Sequence, residues 1–221
     1  RPQKGTERAL ERARHFQFQY PYFLKIDCKK YFDSIDHGIL KQLLARKFKD
    51  MSLLHLLYRI IDSYEVQHEK GLPIGNLTSQ YFANHYLALA DHYLQESIKV
   101  KALVRYMDDW LIWDTCPKRL NRVRGELAHY CAESLKVTFK HQYINESKQG
   151  VDFLGCKITP GRLSLSKKTK RRTSQKYKEL VGEFSNNRID EKRYQKRLEA
   201  MFVRPTRYGT LEFRRQLIME S

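Results

Sequence analysis

Asp108 and Asp109 stand side by side within Val104-Arg105-Tyr106-Met107-Asp108-Asp109-Trp110-Leu111-Ile112-Trp113. Adjacent carboxylates repel, and apolar neighbours worsen the repulsion by disfavouring the charged forms. A divalent cation relieves it, and Mg²⁺ takes carboxylate oxygens together with substrate phosphates. The aromatic and aliphatic flanks have strand composition. The polar pair between them reads as a tight hairpin turn, which presents both acids at the tip of a rigid support. A surface Asp-Asp turn without chemistry is the competing reading of this pair alone.

A third acid changes the balance. In Pro21-Tyr22-Phe23-Leu24-Lys25-Ile26-Asp27-Cys28, Tyr22, Leu24 and Ile26 face one way and Phe23, Lys25 and Asp27 the other. Asp27 therefore ends a strand whose neighbours are apolar. If that strand lies beside the hairpin, three carboxylates converge at one sheet edge. Two Mg²⁺ ions about 4 Å apart in such a cluster suit in-line phosphoryl transfer. One ion activates a 3′-hydroxyl; the other steadies a triphosphate and its leaving pyrophosphate.

The whole chain bounds what this site can serve. Its 221 residues allow one or two domains, and 41% apolar content can bury a core. A net charge of +17, from 42 Lys and Arg against 25 Asp and Glu, points to a polyanionic partner, most simply nucleic acid. Cys28, Cys116, Cys131 and Cys156 form no Cys-x-x-Cys pair. That disfavours a zinc site or a disulfide framework and fits free thiols in a reducing cytosol. No run of about 18 apolar residues occurs, and no signal peptide is visible, so a cytoplasmic location without a membrane partner is expected. The chain begins at Arg1, and the expectation is that an upstream portion is missing.

The elements that must position the acids follow in order. Lys4-Gly5-Thr6 reads as a turn, and Thr6 to His15 as a basic helix with Thr6 as its cap. After the Asp27 strand, Asp36 caps a helix with an Ile39, Leu40, Leu43, Leu44 and Phe48 face. A helix over 51–63 places Leu53, Leu54, Leu57, Ile60 and Ile61 in the core. Gly71-Leu72-Pro73-Ile74-Gly75-Asn76 is a loop leading into a helix from Leu77 to about Ser97, with a Phe82, Tyr86, Leu89, Ala90 and Tyr93 stripe. A helix over 117–134 precedes strands at 135–140 and 150–158, and Leu163 and Leu165 continue a hairpin. From Ser166 the composition turns basic, with seven Lys or Arg in 167–178. Helices are expected near 169–185, 190–202 and 206–219. Val181, Phe184, Leu198, Met201 and Phe202 are their expected buried contacts.

Taken together, IDCKKYFDSIDH, GLPIGNLTSQ, RYMDDWLIW and VDFLG resemble, in order, the palm motifs of reverse transcriptases usually lettered A, B, C and E. The resemblance implies an α+β fold. It would be a right-hand polymerase palm, an antiparallel sheet with packed helices, followed by an α-helical thumb, with the fingers mostly missing. Residues 1–20 would end the fingers, 21–166 form the palm catalytic domain, and 167–221 form a basic thumb. It also implies RNA-directed DNA polymerase activity on an RNA template with a DNA or RNA primer and dNTPs.

The residue roles implied by the resemblance are these. Asp27 and Asp108 are the principal metal ligands and Asp109 the third carboxylate, holding two Mg²⁺, with Mn²⁺ as a substitute. Phe32, five positions after Asp27, lies under the incoming sugar and excludes a 2′-hydroxyl. Pro73, Ile74, Gly75, Ser79 and Gln80 belong to the dNTP site. Lys167, Lys168, Lys170, Arg171 and Arg172 lie along the nucleic-acid backbone. Most reverse transcriptases carry Gln after the Pro and end this motif in Ser-Pro. Here Ile74 and Ser79-Gln80 occupy those places, a form similar to the enzymes of diversity-generating retroelements. Those bacterial or phage-encoded enzymes are error-prone opposite adenine and act with a small basic accessory protein. Three alternatives stay open: a group II intron-type reverse transcriptase, a truncated non-catalytic nucleic-acid-binding module of the same fold, and an interaction protein using its basic helices.

Overall fold

Hydrophobic periodicity decides most of the architecture. The structure, a computed structural model, describes residues 5–209 and 211–219; Lys4 of the expected Lys4-Gly5-Thr6 turn lies outside them. In chain order the elements are α1 (Thr6–Gln19), β1 (Tyr22–Cys28), α2 (Tyr31–Ser34), α3 (His37–Lys47), α4 (Met51–Asp62), α5 (Leu77–His92), a π-helical turn (Tyr93–Ser97), β2 (Ala102–Tyr106), β3 (Asp109–Asp114) and α6 (Pro117–Leu135). Then come β4 (Phe139–Glu146), β5 (Val151–Phe153), β6 (Cys156–Thr159), β7 (Arg162–Leu165), α7 (Lys167–Ser185), α8 (Glu191–Tyr208) and α9 (Leu211–Met219). Among the described residues no helix is long and apolar enough to cross a membrane.

Internal contacts group the chain into two units. The first spans Tyr20–Glu146 and is built on an antiparallel sheet in the order β2-β3-β1-β4. Because strand side chains alternate, one sheet face carries Leu24, Ile26, Leu103, Trp110 and Ile112. These join Leu40, Leu44, Phe82, Tyr86, Leu120, Leu127 and Leu135 from the helices in one buried core. The opposite face carries Phe23, Leu111 and Trp113, also buried, together with the acids. Asp36 caps α3 by accepting from the Ile39 N–H at 3.0 Å, and Asp50 caps α4 in the same way through Leu53. Leu54 and Ile61 are buried as expected, but Leu53 is exposed, because the inward stripe of α4 runs through 54, 57 and 61.

Two strand expectations are corrected. The strand placed at 135–140 begins only at Phe139: Leu135 completes the buried α6 stripe Leu120, Val123, Leu127, Cys131 and Leu135, and Lys136 ends the helix in the left-handed region at φ 53°. The strand itself runs on to Glu146 as the sheet edge. The single strand expected over 150–158 is a hairpin, β5 and β6, turned by Leu154 and Gly155 at φ 49° and 78°.

The second unit comprises Thr6–Gln19 and the chain from Ser147. It holds the three-stranded sheet β5-β6-β7. Gln17 of α1 is fully buried there and donates to the Ser147 carbonyl at 2.8 Å. A separate small core joins Leu165, Tyr177, Phe213 and Leu217. This grouping changes hands at Ser147, whereas the composition changes at Ser166, because the short sheet goes with the helices. Phe184, expected to be buried, is exposed and stacks on Tyr194 with ring centroids 4.5 Å apart, while Leu180 takes the inward position. The helix expected to stop at 202 continues to Tyr208, with Pro205 in its last turns.

Candidate active site

The acids are positioned by register. β1 and β3 pair antiparallel with Asp27 directly opposite Asp109. On the other side of β3, Tyr106 faces Asp109, which leaves Met107 and Asp108 as the two-residue turn. Met107 takes φ 56°, the left-handed conformation that a two-residue hairpin needs and that a side chain makes costly. The Cys28 N–H lies 3.4 Å from the Asp108 carbonyl, so the turn also leans on the end of β1. Asp27, Asp108 and Asp109 are thus brought to one end of the sheet by interior strands.

A network that the sequence did not announce holds this turn. Arg105, on the helix-facing side of β2, donates to the Met107 carbonyl at 2.8 Å. Its guanidinium also grips both Asp91 carboxylate oxygens, with Nε at 2.8 and 2.9 Å and Nη2 at 2.6 Å. The Asn84 side-chain oxygen accepts from Arg105 at 3.2 Å, and the Asn84 amide contacts the Met107 sulfur at 3.2 Å. Trp110 Nε1 donates to Asp91 at 3.2 Å. A charged group at a core-facing strand position is the signal that could have revealed it, since such a group needs a buried partner.

Electrostatics at the acids is that of crowded carboxylates. Burial raises the Asp109 carboxyl to about 6, with Lys25 opposing and Asp27 and Asp108 adding to the shift. Burial also raises Asp108, and Asp27 raises it further. Lys25 Nζ lies 3.4 Å from Asp109 Oδ2. The other oxygen, Oδ1, is buried without a hydrogen-bond partner among the described residues. Among those residues no three His, Cys, Asp or Glu side chains are gathered closely enough to cage an ion. The expected convergence is therefore one of strand ends and not of a closed ligand set. An orphaned carboxylate oxygen and mutual repulsion still fit a divalent cation, and Mg²⁺ is commonly held by one or two carboxylates plus substrate phosphates.

The other expected residues fall into two groups. Phe32, on α2, is half-buried against the main core, its ring edge-on to Tyr31 at 5.8 Å. Its carbonyl accepts from the Leu72 N–H at 2.9 Å, and the Ile35 carbonyl accepts from Gly71 at 2.9 Å. His37 Nε2 lies 2.8 Å from the Gly71 carbonyl. These bonds dock Gly71 and Leu72, at the start of the 71–76 loop, beside α2. Ile74 is 81% exposed, Ser79 is buried and Gln80 is exposed. Gly75, at φ 106°, needs its freedom from a side chain. In the second unit Lys167, Lys168, Arg171 and Arg172 are exposed in the first turns of α7. There they oppose the helix dipole, an arrangement that bound phosphate relieves. Lys170 instead lies over the Phe213 ring at 5.4 Å. A cavity of about 210 Å³ lined by Lys101, Trp113, Asp114 and Arg119 sits at the other end of β3 from the acids.

Comparison with known proteins places this geometry. The sequence profile described as reverse transcriptase (RNA-dependent DNA polymerase) matches residues 1–158, and the chain belongs to that family. Group II intron-encoded protein LtrA of Lactococcus lactis subsp. cremoris is 32% identical over 107 residues, 46% of this chain and 18% of that protein. The putative COX1/OXI3 intron 2 protein of Saccharomyces cerevisiae is 27% identical over 106 residues, 45% of this chain and 12% of that protein. The chain thus spans less than a fifth of either relative's length. Telomerase from Candida albicans, solved with a TWJ fragment of telomeric RNA, matches with a TM-score of 0.57 at 14% identity over 78% of this chain and 39% of that one. Telomerase from Candida tropicalis, also solved with a TWJ fragment, gives 0.56 at 15% identity over 82% and 38%. These likenesses bear on the fold, which is the expected α+β palm-and-thumb type.

Proposed function

We propose that this chain is the palm and thumb portion of an RNA-directed DNA polymerase that copies an RNA template into cDNA from a DNA or RNA primer. The observation that carries this reading is Asp27 in register with Asp109, with Asp108 at the adjoining turn, in a chain of the reverse transcriptase family. Asp27 and Asp108 are the principal holders of divalent cations and Asp109 is the third carboxylate. Mg²⁺, or Mn²⁺ in its place, supplies activation of the primer hydroxyl and charge neutralisation at the triphosphate. The protein's own contribution is to fix the carboxylates on paired strands, so that little reorganisation remains for the reaction. Phe32 lies under the sugar, and Pro73, Ile74, Gly75, Ser79 and Gln80 frame the nascent pair. Lys167, Lys168, Arg171 and Arg172 follow the nucleic-acid backbone, with Lys170 packing behind them.

Within this class the Ile74 and Ser79-Gln80 form supports an error-prone enzyme of a diversity-generating retroelement, working with a small basic accessory protein. A second reading, a group II intron-type enzyme, is favoured by the 32% identity to LtrA. One experiment tests both. Primer extension on a defined RNA is measured in Mg²⁺ with the parent and with Asp108→Asn, and the cDNA is sequenced. Synthesis that Asp108→Asn abolishes supports the polymerase; errors concentrated opposite adenine select the retroelement type, and an even, low error rate selects the intron type. RNA binding with no Mg²⁺-dependent extension, even with a fingers region supplied, would mark a non-catalytic binder.

A further inference from the structure

Independently of the acid site, we propose a second binding site: the cavity at the far end of β3 takes a nucleotide unit by its phosphate. Antiparallel pairing makes β1 and β2 begin where β3 ends, with Tyr22 opposite Asp114 and Ala102 opposite Trp113. Lys101, just before β2, and Tyr20, just before β1, are thereby brought to the end of β3, where α6 soon starts at Pro117. Tyr20, Lys101, Trp113, Asp114, Thr115 and Arg119 line a cavity of about 210 Å³, all of them within the first unit. Asp114 lies about 17 Å along the strand from Asp109, so this cavity is separate from the carboxylates.

The lining selects an anion. Asp114 is the acid in the wall, and its charge is already matched: Oδ1 accepts from the Cys116 N–H at 3.0 Å, and Oδ2 pairs with Arg119 Nη1 at 3.2 Å. Arg119 Nη2 donates to the Lys99 carbonyl at 3.2 Å. These two contacts fix the plane of a guanidinium that carries five N–H donors, so donors remain for a ligand. Lys101 is exposed and has no ion-pair or hydrogen-bond partner among the described residues. A fixed Arg fork and a compact Lys charge are the two side-chain means of holding phosphate. The space exceeds a bare phosphate, which displaces on the order of three waters at about 30 Å³ each. Half-buried Tyr20 and buried Trp113 add aromatic surface, and aromatic surface beside cations suits a nucleotide of any base. A free nucleotide and one unit of an RNA strand present this same chemistry, and a net charge of +17 draws either.

The test is calorimetric titration of this 221-residue chain with AMP, inorganic phosphate and a glutamate hexapeptide, with EDTA present. Without divalent ions the carboxylates cannot take a phosphate through a bridging cation, so the acid-site reading is not what is measured. AMP should bind at least about fivefold more tightly than phosphate, and the hexapeptide should not bind detectably. Lys101→Ala and Arg119→Gln should each weaken AMP binding by about 3- to 10-fold. Circular dichroism checks each variant; if Arg119→Gln does not fold, Lys101→Ala, at an exposed position, decides alone. Fluorescence anisotropy of a labelled single-stranded RNA of about 15 nucleotides, repeated across salt concentrations, separates the two sources. For a strand, the slope of log affinity against log salt should shrink by about 0.7 in Lys101→Ala, and that change assigns the site to a strand even with AMP undetected. An unchanged slope with weakened AMP binding assigns it to free nucleotides. AMP and RNA both indifferent to Lys101→Ala, or phosphate or hexapeptide bound as tightly as AMP, overturns the proposal.

Discussion

Arg105 donates to the carbonyl of Met107, two residues along its own chain, at 2.8 Å. The other edge of the same guanidinium holds Asp91 of α5. A left-handed turn residue is thereby tied to the helix that follows the 71–76 loop. Arg105→Ala leaves Asp91 as an uncompensated, largely buried charge, a loss of about 3 kcal/mol for pairs of this kind. A thermal melt followed by circular dichroism should show Tm falling by about 6–12 °C for a chain of this size. Arg105→Lys, which keeps the charge but not the fork, should fall between parent and Ala. A Tm within about 1 °C of the parent for Arg105→Ala would show that the network adds nothing to the fold.

Asp109 gives a pH signature with a definite sign. Its folded-state pKa is raised from 3.8 to about 6. Between those values the folded chain holds a proton that the unfolded chain has released, so this group's contribution to stability falls as pH rises through the window. Above about 6 the folded state bears the full cost of the buried charge, net of its Lys25 contact. Without divalent ions, Asp109→Asn should raise stability at pH 7.5 by on the order of 1 kcal/mol, since losing the Lys25 partner offsets part of the gain. The gain should vanish below pH 4. Urea melts at both pH values read this directly, and a gain that grows toward acid pH contradicts the assignment.

Phe32 is expected to select the sugar. Its half-buried packing against the main core means that Phe32→Val should also cost about 1–2 kcal/mol of stability. The functional readout is the ratio of kcat/KM for a dNTP to that for the matching rNTP, measured by primer extension with a fingers region present. That ratio should fall by at least about tenfold. If it stays put while stability drops, Phe32 is a packing residue only.

Ile74 is expected to set fidelity, and its 81% exposure leaves the side chain outside the core. Ile lacks the donor and acceptor of Gln, and a hydrogen bond of that kind contributes about 0.5–1.5 kcal/mol. Ile74→Gln should then lower misincorporation by roughly 2- to 13-fold, most of all opposite template adenine. Sequencing cDNA copied from a defined RNA measures it, and an error spectrum identical to the parent's removes Ile74 from fidelity control.

What the sequence disclosed follows the strength of its periodicities. The α3 stripe was legible because Leu40, Leu43 and Leu44 bury one face against a single core, and β1 was legible from the alternation of Tyr22–Cys28 although Phe23 on its other face is buried too. The three acids were legible through their strand contexts. Most of β4 was not, since Lys140, His141 and Tyr143 lie exposed on an edge strand, where little burial imposes alternation. The β5–β6 turn was missed because Leu154 reads as part of an apolar run, although Gly155 beside it carried the turn signal. The Arg105–Asp91–Asn84 network and the Lys25–Asp109 contact join residues 14, 21 and 84 positions apart. Only the pairing of β1 with β3 and the packing of α5 under β2 bring them together.

The strand order β2-β3-β1-β4 has a consequence for how the site moves. Asp27 and Asp109 lie on the two interior strands, whose amides are bonded on both sides, so β1 and β3 open to solvent only when the sheet itself comes apart. Ile74, Gly75 and Asn76 are exposed and outside regular structure, where amide exchange needs no such event. Asp27 and Asp109 are therefore bound to the opening of the sheet, and the 74–76 loop is not. Under the polymerase reading proposed above, accommodation of one base pair after another would fall to the loop, while the carboxylates stay where the sheet has set them.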